Sequence, residues 1–154
     1  MSVEIGKKVP TFQAQTQFGD ISSNDFKGKI TVLYFYPKDN TPGCTTEAQD
    51  FRDHLEAFKK LNIQVIGISK DTVKTHANFD QKHQLNFPLI ADPEKEICQM
   101  FSVMKEKNMY GKKVWGIERS TFLFNHDAVL VKEWRGVKVP GHVQEVLQAA
   151  QELI

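Results

Sequence analysis

Residues 30–48 read Ile30-Thr-Val-Leu-Tyr-Phe-Tyr36-Pro37-Lys-Asp-Asn-Thr41-Pro-Gly-Cys44-Thr-Thr-Glu47-Ala48, and this stretch decides the architecture. Ile30 to Tyr36 is β-branched and aromatic throughout. Apolar residues on both faces are what a central strand covered on both sides requires. The run stops at Pro37, a short loop carries Thr41, Pro42 and Gly43, and from Cys44 the period changes. Ala48, Phe51, Leu55, Phe58 and Leu61 follow at steps of 3, 4, 3 and 3, one face of a helix. Cys44, four residues before Ala48, shares that face and points inward or to the edge of a pocket. Asp50, Arg52, Asp53, Glu56, Lys59 and Lys60 cover the outer side. Ile63 to Ser69 is a second strand, so strand, helix and strand form a right-handed crossover with parallel strands.

On the N-terminal side, residues 9–22 predict a short β-hairpin from Val9–Phe12 and Gly19–Ile21, turning near Phe18 to Asp20. Ser22 to Asp25 caps a brief helical turn that Gly28 ends. On the C-terminal side, Ser69 or Asp71 caps a helix over about 72–84. Phe87-Pro-Leu-Ile90 is a short strand that Pro88 assigns to a sheet edge. Asp92-Pro93 is an N-cap followed by proline at the first helical position, opening a helix with Ile97, Cys98 and Phe101. Residues 102–118, with Met104, Met109, Tyr110 and Trp115 among lysines, read as irregular: a flap over a site or an ordinary loop. Ser120–Phe124 and Val129–Trp134 form an antiparallel hairpin. After Pro140-Gly141, a last helix carries Val143, Val146, Leu147, Ala150 and Ile154 on one stripe. The expected fold is α/β: a mixed central sheet flanked by helices, with an N-terminal β-hairpin, in one domain spanning 1–154.

Composition narrows the function. The chain has 154 residues, 40% hydrophobic and 25% charged, with net charge +1, as expected of a globular chain with a real core. No basic tract stands out, which argues against nucleic acid and anionic membranes. The first eight residues lack the apolar core of a signal peptide, and no apolar run approaches the roughly 20 residues that span a bilayer. A cytoplasmic protein is expected. There is no glycine-rich phosphate loop. His54, His76, His83, His126 and His142 form no metal-binding pair. His76 and His83 share a helix face, where solvated or capping roles are expected. Neither metal nor cofactor is called for.

That leaves Cys44 and Cys98, too few for a disulfide framework. A cysteine in the first turn of a helix sits at the positive end of the helix dipole, which favours the thiolate. Cys44 is therefore a candidate nucleophile; the other reading is a buried structural cysteine. Thr41, across a Pro-Gly turn, brings a hydroxyl that donates and accepts. Unpaired N–H groups of the helix start point into the same space. Arg119 opens the strand Ser120–Phe124 and adds a guanidinium if a parallel central sheet brings that end beside the turn. Such a site suits attack of sulfur on a peroxide oxygen, where the departing oxygen needs donors. Thiol–disulfide exchange is disfavoured because no Cys-x-x-Cys occurs. A peroxide sensor without turnover remains open.

Pro37-x-x-x-Thr41-x-x-Cys44 resembles the active-site motif of peroxiredoxins. The run Phe35 to Ala48 is similar to the PrxQ, or bacterioferritin comigratory protein, subfamily. The resemblance extends through Gly28-Lys29, Gly67–Asp71, Phe87–Asp92, Tyr110-Gly111 and Gly116-Ile-Glu-Arg-Ser-Thr-Phe122. It implies a thioredoxin-like fold and reduction of hydrogen peroxide and organic hydroperoxides. Carried over by position, Cys44 is the peroxidatic cysteine, Thr41 the substrate-bonding hydroxyl, Arg119 the stabilising arginine and Pro37 the shield of the pocket. Glu47 falls where a polar residue orients the arginine.

The chain departs from the subfamily in what resolves a sulfenic acid on Cys44. Where many members carry a second cysteine five residues on, this chain has Gln49; the alternative position in the next helix is Asp80. Cys98 lies in an apolar stripe, either as a small core residue or as a resolving cysteine that would give a Cys44–Cys98 disulfide. The expectation is a one-cysteine cycle completed by an external thiol such as thioredoxin, glutaredoxin or glutathione, in a monomer or weak homodimer.

Overall fold

The computed structural model describes residues 3–154, and for Met109 the backbone alone; Met1 and Ser2, part of the leader argument above, lie outside it. In chain order the elements are β1 (Gln13–Thr16), β2 (Gly19–Ser22), a 3-10 turn (Ser23–Phe26), β3 (Ile30–Phe35), α1 (Pro42–Lys60) and β4 (Ile63–Ser69). There follow α2 (Val73–His83), β5 (Leu89–Ala91), α3 (Glu96–Met100), β6 (Met104–Met109), β7 (Lys112–Ile117), β8 (Ser120–Phe124), β9 (Leu130–Arg135) and α4 (His142–Gln151). Seven strands form one mixed sheet in the order β2-β1-β5-β4-β3-β8-β9.

The run from Ile30 to Phe35 takes the centre, buried at every position. It pairs parallel with β4 and antiparallel with β8. Alternation along the strand divides its side chains between two core layers. Val32 and Tyr34, with Tyr36 just beyond the strand, pack with Cys44, Phe51 and Phe58 of α1 and Val143 and Val146 of α4. Leu33 and Phe35 pack on the opposite face with Ile97, Cys98 and Phe101 around α3, and with Phe122 and Phe124. Each fully buried ring in these layers stabilises the fold by roughly 1.5–3 kcal/mol.

Several expectations shift. The first hairpin strand is Gln13–Thr16, not Val9–Phe12: Pro10 offers no N–H, while the ladder runs Gln13↔Ser22 to Thr16↔Gly19. Ser22 does cap the turn after it, in a reciprocal box with Asp25. α2 is capped by Thr72, whose hydroxyl accepts from the Thr75 amide, not by Ser69 or Asp71, which bond each other. The strand expected at a sheet edge is interior: β5 lies between β4 and β1, and Pro88 precedes it. Asp92 is not the N-cap of α3, which starts at Glu96, but its carboxylate accepts from the Ile97 and Cys98 amides and serves the helix start from a distance. Residues 102–118 are not irregular: β6 and β7 form a two-stranded hairpin outside the main sheet. Its Tyr110 and Trp115 are exposed, and the Met109 side chain lies outside the described residues. Ile154, placed on the last stripe, is exposed beyond the end of α4.

Candidate active site

β3 ends with Phe35, and the Tyr36 amide still reaches the Ile68 carbonyl at 3.1 Å. The chain then turns. Asn40 takes a left-handed φ of 65°, a conformation that Asn tolerates better than most residues. Thr41 is the N-cap of α1, Pro42 fits the first turn, where its missing N–H is no loss, and Cys44 follows within that turn. Cys44 is therefore inside the helix start, not its opening residue. It is 1% exposed, on the helix face that packs against the sheet.

Arg119 arrives from the sheet. β8 runs antiparallel to β3, with Ser120 opposite Phe35, so the residue before Ser120 stands at the C-terminal end of β3. Antiparallel pairing, not the parallel arrangement expected, is what brings the arginine to the turn. The Val137 amide donates to the Arg119 carbonyl at 2.9 Å and fixes its backbone. Its guanidinium forks. Nη2 donates to Cys44 Sγ at 3.4 Å, and Nη1 donates to Glu47 Oε1 at 2.7 Å. Gly43 leaves room for this: a Cβ there would meet Nη2 at 3.2 Å.

The electrostatics follow from burial. Glu47 is fully buried, and burial outweighs the pull of Arg119, raising its carboxyl from 4.5 to about 7. Burial works against the charge of Arg119 too, but the Glu47 carboxylate and Cys44 sulfur overcome it and raise its pKa. His142, beside Thr121 at 2.8 Å, is lowered to about 4 by burial, against the opposing pull of Glu145, so its imidazole is neutral at physiological pH. The cation facing the sulfur is Arg119. Glu47 Oε2 and the Tyr34 hydroxyl are buried without hydrogen-bond partners among the described residues.

Of the residues singled out in the sequence, Cys44, Arg119 and Glu47 come into direct contact. Thr41 is on the same turn, but its hydroxyl proton goes to the Lys38 carbonyl at 2.8 Å, so toward a substrate it can only accept. Pro37 sits half-buried where β3 gives way to the loop. Cys98 is not brought near: it lies in the core layer on the other face of the sheet from Cys44, and burial, with the Asp92 carboxylate next, pushes its thiol up. Gln49 faces His83 at 3.4 Å, and Asp80 accepts from the Asn86 amide at 2.9 Å and from Gln17. The sequence placed Gly43 only in the turn and Tyr34 only in the strand, with no part for either in the site. A glycine beside a candidate nucleophile was a usable signal; Tyr34 carried none beyond its place in a strand.

Comparison with known proteins is consistent with this geometry. The model of the AhpC/TSA family matches residues 5–133. Peroxiredoxin Bcp of Bacillus subtilis is 48% identical over 154 residues, covering 99% of this chain and 98% of that protein. A mutant of Xylella fastidiosa PrxQ superposes with a TM-score of 0.92 at 40% identity, covering 99% of this chain and 98% of that one. The bacterioferritin comigratory protein of Xanthomonas campestris, solved with a trapped intermediate/ligand complex bearing on its alkyl peroxide reduction activity, matches with a TM-score of 0.87 at 45% identity, over 92% and 90% of the two chains.

Proposed function

This chain belongs to the AhpC/TSA family and is a peroxiredoxin of thioredoxin-like fold, a thiol-dependent peroxidase, and on that premise we propose that Cys44 is its attacking sulfur. The observation that carries the assignment is the forked guanidinium of Arg119, bonded at once to Cys44 Sγ and Glu47. A cation and a helix N-terminus both favour the thiolate.

In the proposed cycle the Cys44 thiolate attacks the terminal oxygen of a hydroperoxide. The S–O bond forms as the O–O bond breaks, and the departing alkoxide takes a proton. Cys44 becomes a sulfenic acid and the peroxide an alcohol, or water from hydrogen peroxide. Arg119 stabilises both the thiolate and the charge that develops on the peroxide oxygens. Thr41 accepts the hydrogen bond of the peroxide O–H, Glu47 holds the guanidinium in orientation, and Pro37 shields the sulfur from bulk water. Two thiols from outside the chain then return the sulfenic acid to the thiol, releasing water and one disulfide.

The placement of the cysteines supports an external reductant. A disulfide needs Cα atoms within about 7 Å, whereas Cys44 and Cys98 occupy layers separated by the sheet. Thioredoxin, glutaredoxin and glutathione are the reductants to test. No helix among the described residues is long and apolar enough to cross a membrane; we assign the protein to the cytoplasm and read 1–154 as one catalytic unit. Of the exposed large apolar side chains, Tyr110, Val114 and Trp115 share the β6–β7 hairpin, while Ile5, Phe18 and Ile154 lie elsewhere in the chain; a patch this small is in keeping with a monomer or weak homodimer.

The test is one equivalent of hydrogen peroxide on the reduced protein, followed by thiol blocking and mass spectrometry. A sulfenic acid confined to Cys44, absent in Cys44→Ser, is expected. A quantitative Cys44–Cys98 disulfide would overturn the one-cysteine cycle.

A further inference from the structure

Beneath the turn that carries Thr41 lies a second polar cluster. Asp39 belongs to this turn, yet it is almost fully buried. Its carboxylate accepts from the Tyr36 hydroxyl at 2.6 Å and faces His76 Nδ1 at 2.7 Å. Its amide donates to Asp71 Oδ2 at 2.9 Å. His76 rises from α2, and its Nε2 lies 2.9 Å from the Ile90 carbonyl of β5. The solvated or capping role expected for His76 does not hold, since the side chain is fully buried.

Both ring nitrogens of His76 face oxygens that can only accept, a carboxylate and a carbonyl. Nε2 must carry the proton toward the Ile90 carbonyl, and one further proton must lie between Nδ1 and the Asp39 carboxylate, so the pair holds two protons and no net charge. Asp39 and His76 then form a buried hydrogen-bonded pair joining the active-site turn to α2 and β5. In such a pair, loss of one partner leaves the other as an uncompensated buried charge.

The pair reaches the core layer of the sulfur through two rings. Tyr36, bonded to Asp39, stacks on Tyr34 with ring centroids 5.4 Å apart. Both tyrosines pack in the same buried cluster as Cys44, and burial first, then the charges of Glu47, Asp39 and Cys44, push the Tyr34 hydroxyl well up. Around His76 the facing groups are Asp39, Tyr36, the Ile90 carbonyl and the half-buried Asp71, whose carboxylate lies within 4.8 Å of both Asp39 and a His76 ring nitrogen. Around Cys44 they are Arg119 and Glu47.

We propose that His76 is a positioning residue of the peroxide site: its ring clamps Asp39, holding the Pro37–Thr41 turn in place and compensating the carboxylate that would otherwise disfavour the Cys44 thiolate. The proposal rests on Cys44 as the attacking sulfur. If peroxide fails to oxidise Cys44 in the wild type, that assignment falls on its own, before any variant is compared.

The experiment compares wild type, Asp39→Asn, His76→Gln and the double variant. It reads the pH profile of Cys44 alkylation by iodoacetamide, followed by peptide mass spectrometry, and the second-order rate with hydrogen peroxide. His76→Gln is expected to shift the alkylation profile upward by about one pH unit and slow peroxide oxidation about tenfold at pH 7. Removing the carboxylate as well should restore both to within about twofold of wild type, because the cluster then carries the same net charge as in the wild type. A purely structural role moves neither profile or makes the double variant worse, and either result overturns the proposal. If His76→Gln does not fold, a folded double variant with a wild-type profile supports charge compensation, and failure of both to fold refutes it.

Discussion

Replacing Glu47 by Gln tests the electrostatics of the site. The substitution keeps the shape and leaves an amide oxygen to accept from Arg119 Nη1, now 2.7 Å from Glu47 Oε1, but removes a group that titrates. In the folded protein, burial holds the carboxyl at about 7 instead of 4.5. Over that window the native state keeps a proton that the unfolded chain has lost, so this contribution to stability is fully present below pH 4.5 and is lost as pH rises through about 7. At about 1.36 kcal/mol per unit, the wild type loses up to about 3 kcal/mol across the window. The amide side chain carries no such slope. Glu47→Gln should therefore match the wild type near pH 4.5 and exceed it by about 1–3 kcal/mol at pH 8, the lower figure applying if the native state relaxes to admit water. Urea unfolding under reducing conditions at pH 4.5, 6 and 8 measures this. Peroxide oxidation at pH 8 should fall less than about tenfold, since the guanidinium keeps an acceptor. Stability profiles that run parallel, within about 0.5 kcal/mol, would show that Glu47 is not a strained buried carboxylate and remove the basis for its role.

Other substitutions separate the parts of the site. Arg119→Ala should slow the second-order reaction of Cys44 with hydrogen peroxide by about 10²–10³, measured by stopped-flow; an unchanged rate would remove Arg119 from the mechanism. Gly43→Ala places a Cβ 3.2 Å from Arg119 Nη2, so peroxide oxidation should slow several-fold while thermal stability holds or rises by up to about 1 kcal/mol, alanine being the better helix former. Gly67→Ala is expected to destabilise by about 1–3 kcal/mol in urea, because its Cβ would meet Leu89 Cδ2 at 2.8 Å and the Tyr34 ring at 3.0 Å. Cys98→Ala should leave dithiothreitol-driven peroxidase turnover within about twofold and lower stability by about 1 kcal/mol; lost turnover would return Cys98 to the redox cycle.

Much of this protein was legible in the sequence because it depended on local pattern. The doubly covered strand from Ile30, the helix face from Cys44 to Phe58 and the strand from Ile63 each follow from the period of their apolar residues, and side-chain period is a property of the chain itself. The turn between them identified Cys44 because proline, glycine and a cysteine near a helix start constrain backbone and charge within a few residues. What the chain could not state was which distant groups meet there. Arg119 reaches Cys44 only because β8 pairs antiparallel to β3 with Ser120 opposite Phe35, and register is a choice among strands. The same choice placed β5 inside the sheet despite Pro88, and Cys98 on the face away from Cys44. His76, which looked solvated on a short helix, became a buried hydrogen-bonding partner of the turn because α2 packs over it, with Asp39 on one side of the ring and the Ile90 carbonyl on the other. The sequence determined the candidate nucleophile and the helix end that holds it; tertiary structure decided its charged surroundings, because Coulomb interactions depend on distances and burial that pairing and packing alone create.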